Sequence, residues 1–483
     1  MEEEKIDMVI FGASGFTGKY VVREVLRFLN SPPHALTTIG LAGRNPAKVE
    51  AALRWATAPS PPPPLPIFKA DVSDPSSLSS LCRRARLLLN CVGPYRLYGE
   101  PVVAACVEAG TDYLDITGEP EFMERMEAKY RERAAETGAL VVSACGFDSI
   151  PAEMGVLFNS RQWVPPSLPH SVEAYLVLES EKRIVGNIAT LESSVLGLAN
   201  VEELQKLRRS RPKPPKLQIP GPPPNKGGSL EHHNTLGLWA VKLPSADTVV
   251  VKRTLTTLAE NPHGLPGVNE SEEHIQKRTN FWSTVRPVHF GVKMGFKSFW
   301  AVARTIFVGV IIGLLSKVQI GRNLLVNYPE IFTLGWFRRT GPTEEEVRSA
   351  TFKMWFVGHG YSDESKLRGK PDKQIITRVS GPEIGYATTP IALVQCALIL
   401  LEQRGNLPKG GVFTPGVIFG PTNLEDCLQE NGISFDLISG DKRSRPAFRT
   451  NKVGREHVGE AICVLNFGAA EMMSNFLHSK PIV

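Results

Sequence analysis

The chain has few cysteines, no uncharged apolar run of 20 residues and little excess charge of either sign. Its seven cysteines (Cys82, Cys91, Cys106, Cys145, Cys396, Cys427 and Cys463) are scattered. None forms a Cys-x-x-Cys pair, and no Cys/His cluster has zinc spacing, so neither a metal site nor a disulfide framework is expected. Scattered thiols in odd number suit a reducing, intracellular compartment. The formal net charge of +6 is modest. A nucleic-acid binder concentrates far more basic charge on one face, so no nucleic-acid partner is expected. The most hydrophobic stretch is 300–316, and its longest uncharged piece, 305–316, has 12 residues between Arg304 and Lys317. A membrane-spanning helix needs about 20. The acidic start runs straight into an apolar strand, and the end, Ser479-Lys480-Pro481-Ile482-Val483, carries no peroxisomal or prenyl motif. No cleavable targeting signal is therefore expected.

What is present is a rhythm. Apolar runs occur at 6–11, 36–42, 65–69, 87–91, 113–116 and 140–144. Between them lie amphipathic stretches such as 18–29, 101–109 and 121–136. Strands separated by helix-length segments predict βαβ units, hence an α/β, Rossmann-type doubly wound parallel sheet over residues 1–150. After Ile150 the rhythm changes. Strand-like runs at 172–178, 248–253, 352–358 and 374–379 surround a helical stretch at 188–198. They predict an α+β second domain with a mixed sheet over 151–388. Residues 206–230 are proline-rich, with seven Lys/Arg and no acid, and read as an exposed flexible loop. The hydrophobic segment 300–316 reads first as a buried or partner-facing helix. The alternatives are an interfacial membrane helix and, least favoured by its length, a span. Residues 389–439 form a C-terminal helix and return segment. Residues 440–483, with a helical stretch at 457–476, are expected to be a poorly packed tail.

The chemistry-bearing motif is Gly12-Ala13-Ser14-Gly15-Phe16-Thr17-Gly18, directly after the first strand. Gly12 permits the tight turn, Gly15 lets backbone approach a pyrophosphate, and Gly18 allows close helix–strand packing. The helix start then offers free N–H groups and a positive dipole end to phosphate. At the end of the second strand an NAD-preferring site would place an acid. Here stands Arg44, which can pair with a 2′-phosphate or simply be a solvated loop arginine. NADPH is thus the expected cofactor. Asp71 closes the third strand as an adenine-side contact or a helix cap. Asn90, Gly93 and Pro94 end the fourth strand, on the edge where such sheets bind ligands. Asp115 and Asp148 end later strands on that edge, as ligand contacts or caps.

These pieces, with Tyr113–Glu119, Gly146–Pro151, Ser380–Tyr386 and Gly410–Gly416, together resemble the saccharopine dehydrogenase-like oxidoreductase family. The plant and animal members, and bacterial trans-acting enoyl reductases of glycolipid assembly, are similar. The resemblance runs from about 6 to 437, and the tail beyond about 439 departs from it. It implies a nucleotide-binding domain, a mixed-sheet second domain and mitochondrial or lipid-droplet associations. The aromatic-rich stretch 282–355 suits an apolar or lipid-linked substrate better than an amino acid, although aromatic residues also fill cores. The expected function is therefore NADPH-dependent oxidoreduction of an apolar or lipid-linked substrate. The alternatives are true saccharopine dehydrogenase activity and a non-enzymatic cofactor-binding protein on a membrane or lipid droplet. A homodimer fits either. Tyr95, Tyr98 and His359 are the candidate proton donors. No Tyr-x-x-x-Lys pair follows the fourth strand, which speaks against the short-chain dehydrogenase mechanism.

Overall fold

The computed structural model describes residues 5–32, 36–213, 215–224, 227–242 and 245–440. The expected tail, 440–483, therefore lies outside the described residues except for Gly440. Six short strands open the chain: β1 (Ile6–Phe11), β2 (Ile39–Gly43), β3 (Ile67–Lys69), β4 (Ala85–Asn90), β5 (Asp112–Asp115) and β6 (Leu140–Val142). The helices between and after them are α1 (Phe16–Leu26), α2 (Pro46–Thr57), α3 (Pro75–Arg84), α4 (Tyr95–Ala109), α5 (Pro120–Thr137) and α6 (Ile150–Ser160). Strands β1, β5 and β6 are buried almost throughout, the pattern of a parallel sheet covered on both faces. Each helix has a local cause. Asn45 and Asp74 cap α2 and α3 with their side chains and are each followed by proline. Gly110 and Gly138 end α4 and α5 in the left-handed conformation.

The sheet order is β3-β2-β1-β4-β5-β6, extended by the strand Gly411–Phe413, which returns to pair in parallel with β6. The chain reverses direction between β1 and β4. That switch point leaves a crevice beyond their carboxyl ends, at Phe11 and Asn90.

The second sheet also has seven strands, in the order 434–439, 373–382, 350–361, 168–180, 289–296, 238–242, 230–233. It is mixed. His289–Phe296 runs parallel to Leu168–Ser180, and the other pairs are antiparallel. One apolar core runs from Met8 and Ile10 in the first sheet to Leu176 and Phe352 in the second.

Two expectations need correction, and a third is sharpened. Residues 248–253 are not a strand but part of the helix Ala246–Glu260. The β-branched run suggested a strand, yet Val250, Val251, Thr254, Leu255 and Leu258 are buried at helical spacing, and Ser245 caps the start. The proline-rich loop is shorter than 206–230, because Val201–Ser210 is helical and Leu230 begins a strand. The segment 300–316 is a helix, Phe299–Ser316, buried on one face only: Trp300, Phe307 and Leu314 are exposed.

Candidate active site at the sheet switch point

After β1 the chain turns at Gly12, whose φ is +86°. A Cβ there would sit 2.8 Å from Val92 Cγ2. A Cβ on Gly18 would lie 2.1 Å from the carbonyl oxygen of Gly12, so α1 packs against the turn only because this residue lacks one. Gly15 donates its N–H to that same carbonyl at 2.8 Å and begins α1 without a side-chain cap. The first N–H groups of α1 are thus left for a ligand.

A cavity of about 660 Å³ opens here, walled at one end by Gly12, Ser14, Gly15, Phe16 and Thr17. Its other end is walled by Arg44, Asn45 and Lys48. Arg44 and Lys48 are exposed, and among the described residues neither forms an ion pair. Asp71 does not line this cavity. Its carboxylate accepts from Ser73 N at 2.9 Å and Ser73 Oγ at 2.8 Å, and these bonds hold its pKa below the ordinary carboxylate value. Its neighbour Val72 forms the wall instead.

Asn90 is fully buried. It donates to Tyr113 Oη at 3.0 Å and accepts from Val92 N at 3.0 Å. It therefore shapes the turn that presents Cys91, Val92 and Gly93 to the cavity. Pro94, behind a cis peptide bond, precedes α4 and lines neither cavity.

A second cavity of about 170 Å³ shares Thr17, Cys91, Gly93, Ala189 and Thr190 with the first. Three carboxylates reach its wall. Glu119 accepts the N–H groups of Tyr95 and Arg96 at 2.9 Å each, at the start of α4, and burial raises its pKa. Glu383 accepts from Gly385 N at 2.8 Å and Tyr386 N at 2.5 Å, and burial pushes it up to about 7. Asp148 makes no hydrogen bond among the described residues, and burial pushes it up to about 6. Its Oδ2 lies against Gly118, where a Cβ would come within 2.3 Å. Next to it is the buried Asp247, pushed up to about 8 by burial and by the charge of Asp148. Asp247 accepts from Ser245 Oγ at 2.8 Å through one oxygen, and its other oxygen has no partner. Of these three wall carboxylates, Asp148 alone is not spent on backbone N–H groups. A partly buried carboxyl whose pKa is raised towards neutral pH can hold and release a proton for a reacting group.

The remaining residues separate. Tyr95 lines the small cavity, but its hydroxyl donates to the Asn90 carbonyl at 2.8 Å and burial raises its pKa far out of reach. Tyr98 is half-exposed and lines only the larger cavity. His359 does not reach the site. It sits in the second sheet opposite Ser171 and Gln374, with His170, His233 and Glu173 nearby, and lines neither cavity. Asp115 spends one oxygen on Ala144 N and Thr117 N, at 2.8 and 3.0 Å, so it anchors a turn.

Sequence reasoning missed several wall residues. Asn187 caps the helix Ile188–Ala199, and its N–H donates to Tyr386 Oη at 2.8 Å. Ala189 and Thr190 open that helix and wall both cavities. They come from the far side of the molecule, where no local pattern marks them. Lys48 was legible: it stands in the first turn of α2, four residues after Arg44.

With the geometry in place, similarity to known proteins can be read. The family model for the saccharopine dehydrogenase NADP binding domain matches residues 8–142. A probable mitochondrial saccharopine dehydrogenase-like oxidoreductase of Arabidopsis thaliana is 62% identical, over 90% of this chain and 97% of the relative. The mouse saccharopine dehydrogenase-like oxidoreductase is 36% identical over 91% of this chain and 99% of its own length. A lipid droplet localized protein of Caenorhabditis elegans is 31% identical over 90% and 99%. The glycine turn, the parallel sheet and these full-length similarities agree: the chain belongs to the saccharopine dehydrogenase-like oxidoreductase family and is an NAD(P)-dependent oxidoreductase.

Proposed function

We propose that this chain is an NADPH-dependent oxidoreductase whose substrate presents an apolar or lipid-linked unsaturated group. The observation that carries the substrate reading is the wall of the small cavity. It holds Glu119, Asp148 and Glu383 among Ile116, Phe147, Val185 and Phe337 and, among the described residues, no Lys, Arg or His. Saccharopine carries several carboxylates and would meet like charge there without a cationic anchor. A neutral acceptor double bond at the end of an apolar chain meets no such penalty. The relative from C. elegans named for lipid droplets accords with this reading.

The residues present fit the cofactor. The start of α1 would hold the pyrophosphate. Arg44 and Lys48 would hold the 2′-phosphate, and Cys91 and Gly93, shared by both cavities, the nicotinamide end. When bound, NADPH would supply the hydride for the acceptor carbon. Asp148 holds the proton that the other atom of the reduced double bond takes up. The helix Ile188–Ala199, through Ala189, Thr190 and Ser193, and Phe337 form part of the small cavity's wall.

The test is NADPH oxidation by the purified chain with long-chain enals, enones and ketones, set against the imine of lysine and 2-oxoglutarate. Turnover of an apolar acceptor is expected. Turnover of the amino-acid imine alone would overturn the substrate reading.

A further inference from the structure

We infer that the segment 299–334 is a docking face for an anionic phospholipid surface. Trp300, Phe307, Leu314, Val318, Ile320 and Ile331 are all exposed, Trp300 to 79% and Ile320 to 76%. Along the helix Phe299–Ser316 and just beyond it, Trp300, Phe307, Leu314 and Val318 follow at steps of one or two turns. They form one stripe opposite the buried Val302, Thr305, Val308 and Ile312. An apolar face of this kind, with the exposed Arg304 at its margin, marks an interaction surface. The buried face is held by the fold, against the helix Ile188–Ala199 among others, so the helix lies along the protein. Crossing a bilayer would strip it from that helix.

Charge decides the occupant. Between residues 297 and 339 stand Lys297, Arg304, Lys317, Arg322, Arg338 and Arg339, against the single acid Glu330. Lys297 pairs with Glu179 and Arg338 with Glu346. Arg304, Lys317, Arg322 and Arg339 form no ion pair among the described residues. An apolar stripe flanked by unpaired cations, with Trp300 and Tyr328 exposed, is the composition that seats a helix at the headgroup boundary. A second copy of this chain fits poorly, because a two-fold contact would bring the same patch onto itself and set cation against cation. The helix underneath, Ile188–Ala199, walls both cavities with Ala189 and Thr190. The docking face is thus one helix away from the site. The inference stands on the surface alone and does not depend on the identity of the substrate.

The full chain is tested by flotation with vesicles of phosphatidylcholine, with and without phosphatidylserine. Wild type is expected to float, more strongly with phosphatidylserine and less in high salt. Replacing Trp300, Phe307 and Ile320 together by Ser should weaken binding about tenfold or more, since each exposed side chain contributes on that scale. Replacing Arg304 and Lys317 by Gln should remove most of the phosphatidylserine dependence. NADPH titration confirms that both variants are folded, because neither change touches the cavities. Failure of wild type to float with any vesicle would overturn the inference. So would equal flotation of the Ser variant, or a stable dimer that this variant dissolves without any vesicle binding.

Discussion

At the scale of single residues, the site divides into groups that hold shape and groups left free to act. Asn90, Asp115, Glu119 and Glu383 bind backbone N–H groups or buried hydroxyls, so their replacement should act through local structure. Arg44 and Asp148 carry no such duty. Arg44→Asp should weaken NADPH binding roughly 10- to 100-fold, the worth of a charge-assisted contact, and leave NADH binding nearly unchanged. Fluorescence titration with both nucleotides checks this. Equal losses for both would remove Arg44 from the 2′-phosphate. Asp148→Asn should lower kcat by roughly 10²- to 10⁴-fold with unchanged NADPH affinity. The pH dependence has a definite sign. Burial lifts Asp148 to about 6 and Asp247 to about 8, so the pair holds protons in the folded state that an unfolded chain would release near 3.8. The stability that burying a neutral Asp247 permits is present below pH 3.8 and is lost as pH rises towards about 8. Melting temperature should therefore fall over that window, and Asp247→Asn should flatten the fall. A wild-type chain whose melting temperature rises from pH 5 to 8 would contradict this.

At the scale of elements, two contacts tie the halves of the site together. One is the turn of Gly12 against Gly18, where 2.1 Å separates a hypothetical Cβ from a carbonyl oxygen. Gly18→Ala should dislodge the start of α1 and abolish nucleotide binding while most of the sheet survives, as circular dichroism and titration together would read. The other is an aromatic cluster in which Phe16 and Tyr20 of α1 meet Tyr386, at ring distances of 4.8 and 5.5 Å. Tyr386 also takes the N–H of Asn187, the cap of the helix that walls both cavities. Tyr386→Phe would leave that buried N–H unpaired and cost about 1–3 kcal/mol by urea unfolding. An unchanged midpoint would show that the group finds another partner. Elements were unevenly legible in the sequence. The capped, periodic helices and alternating strands of the first 150 residues announce themselves. The helix Ala246–Glu260 did not, because Thr248–Val251 is β-branched and only its packing against α6 and Pro415–Phe419 makes the helical period decisive.

At the scale of the whole molecule, the two sheets are not independent bodies. The strand Gly411–Phe413 completes the first sheet and Ser434–Ser439 the second, so the last described stretch stitches both. A single apolar core runs between them. Denaturant unfolding followed by fluorescence and by circular dichroism should give coincident transitions. Two separated midpoints would mean that the sheets unfold on their own.

The sequence by itself determined the nucleotide end. A tight turn, a helix start and the basic side chain after β2 are local features, set by residues within about forty positions of one another, and local sterics leave little choice. Only the tertiary structure decided the chemical end. Asp148 matters because packing buries it in the cavity wall, and its charge in turn raises the pKa of Asp247, a hundred residues on. The small cavity lacks a cation because Phe337, Val185 and Glu383 happen to converge there. Such proximity depends on how two sheets pack, and packing leaves no period in the chain. For the same reason the segment 299–334 could be read as apolar but not as half-exposed until its neighbours were in place.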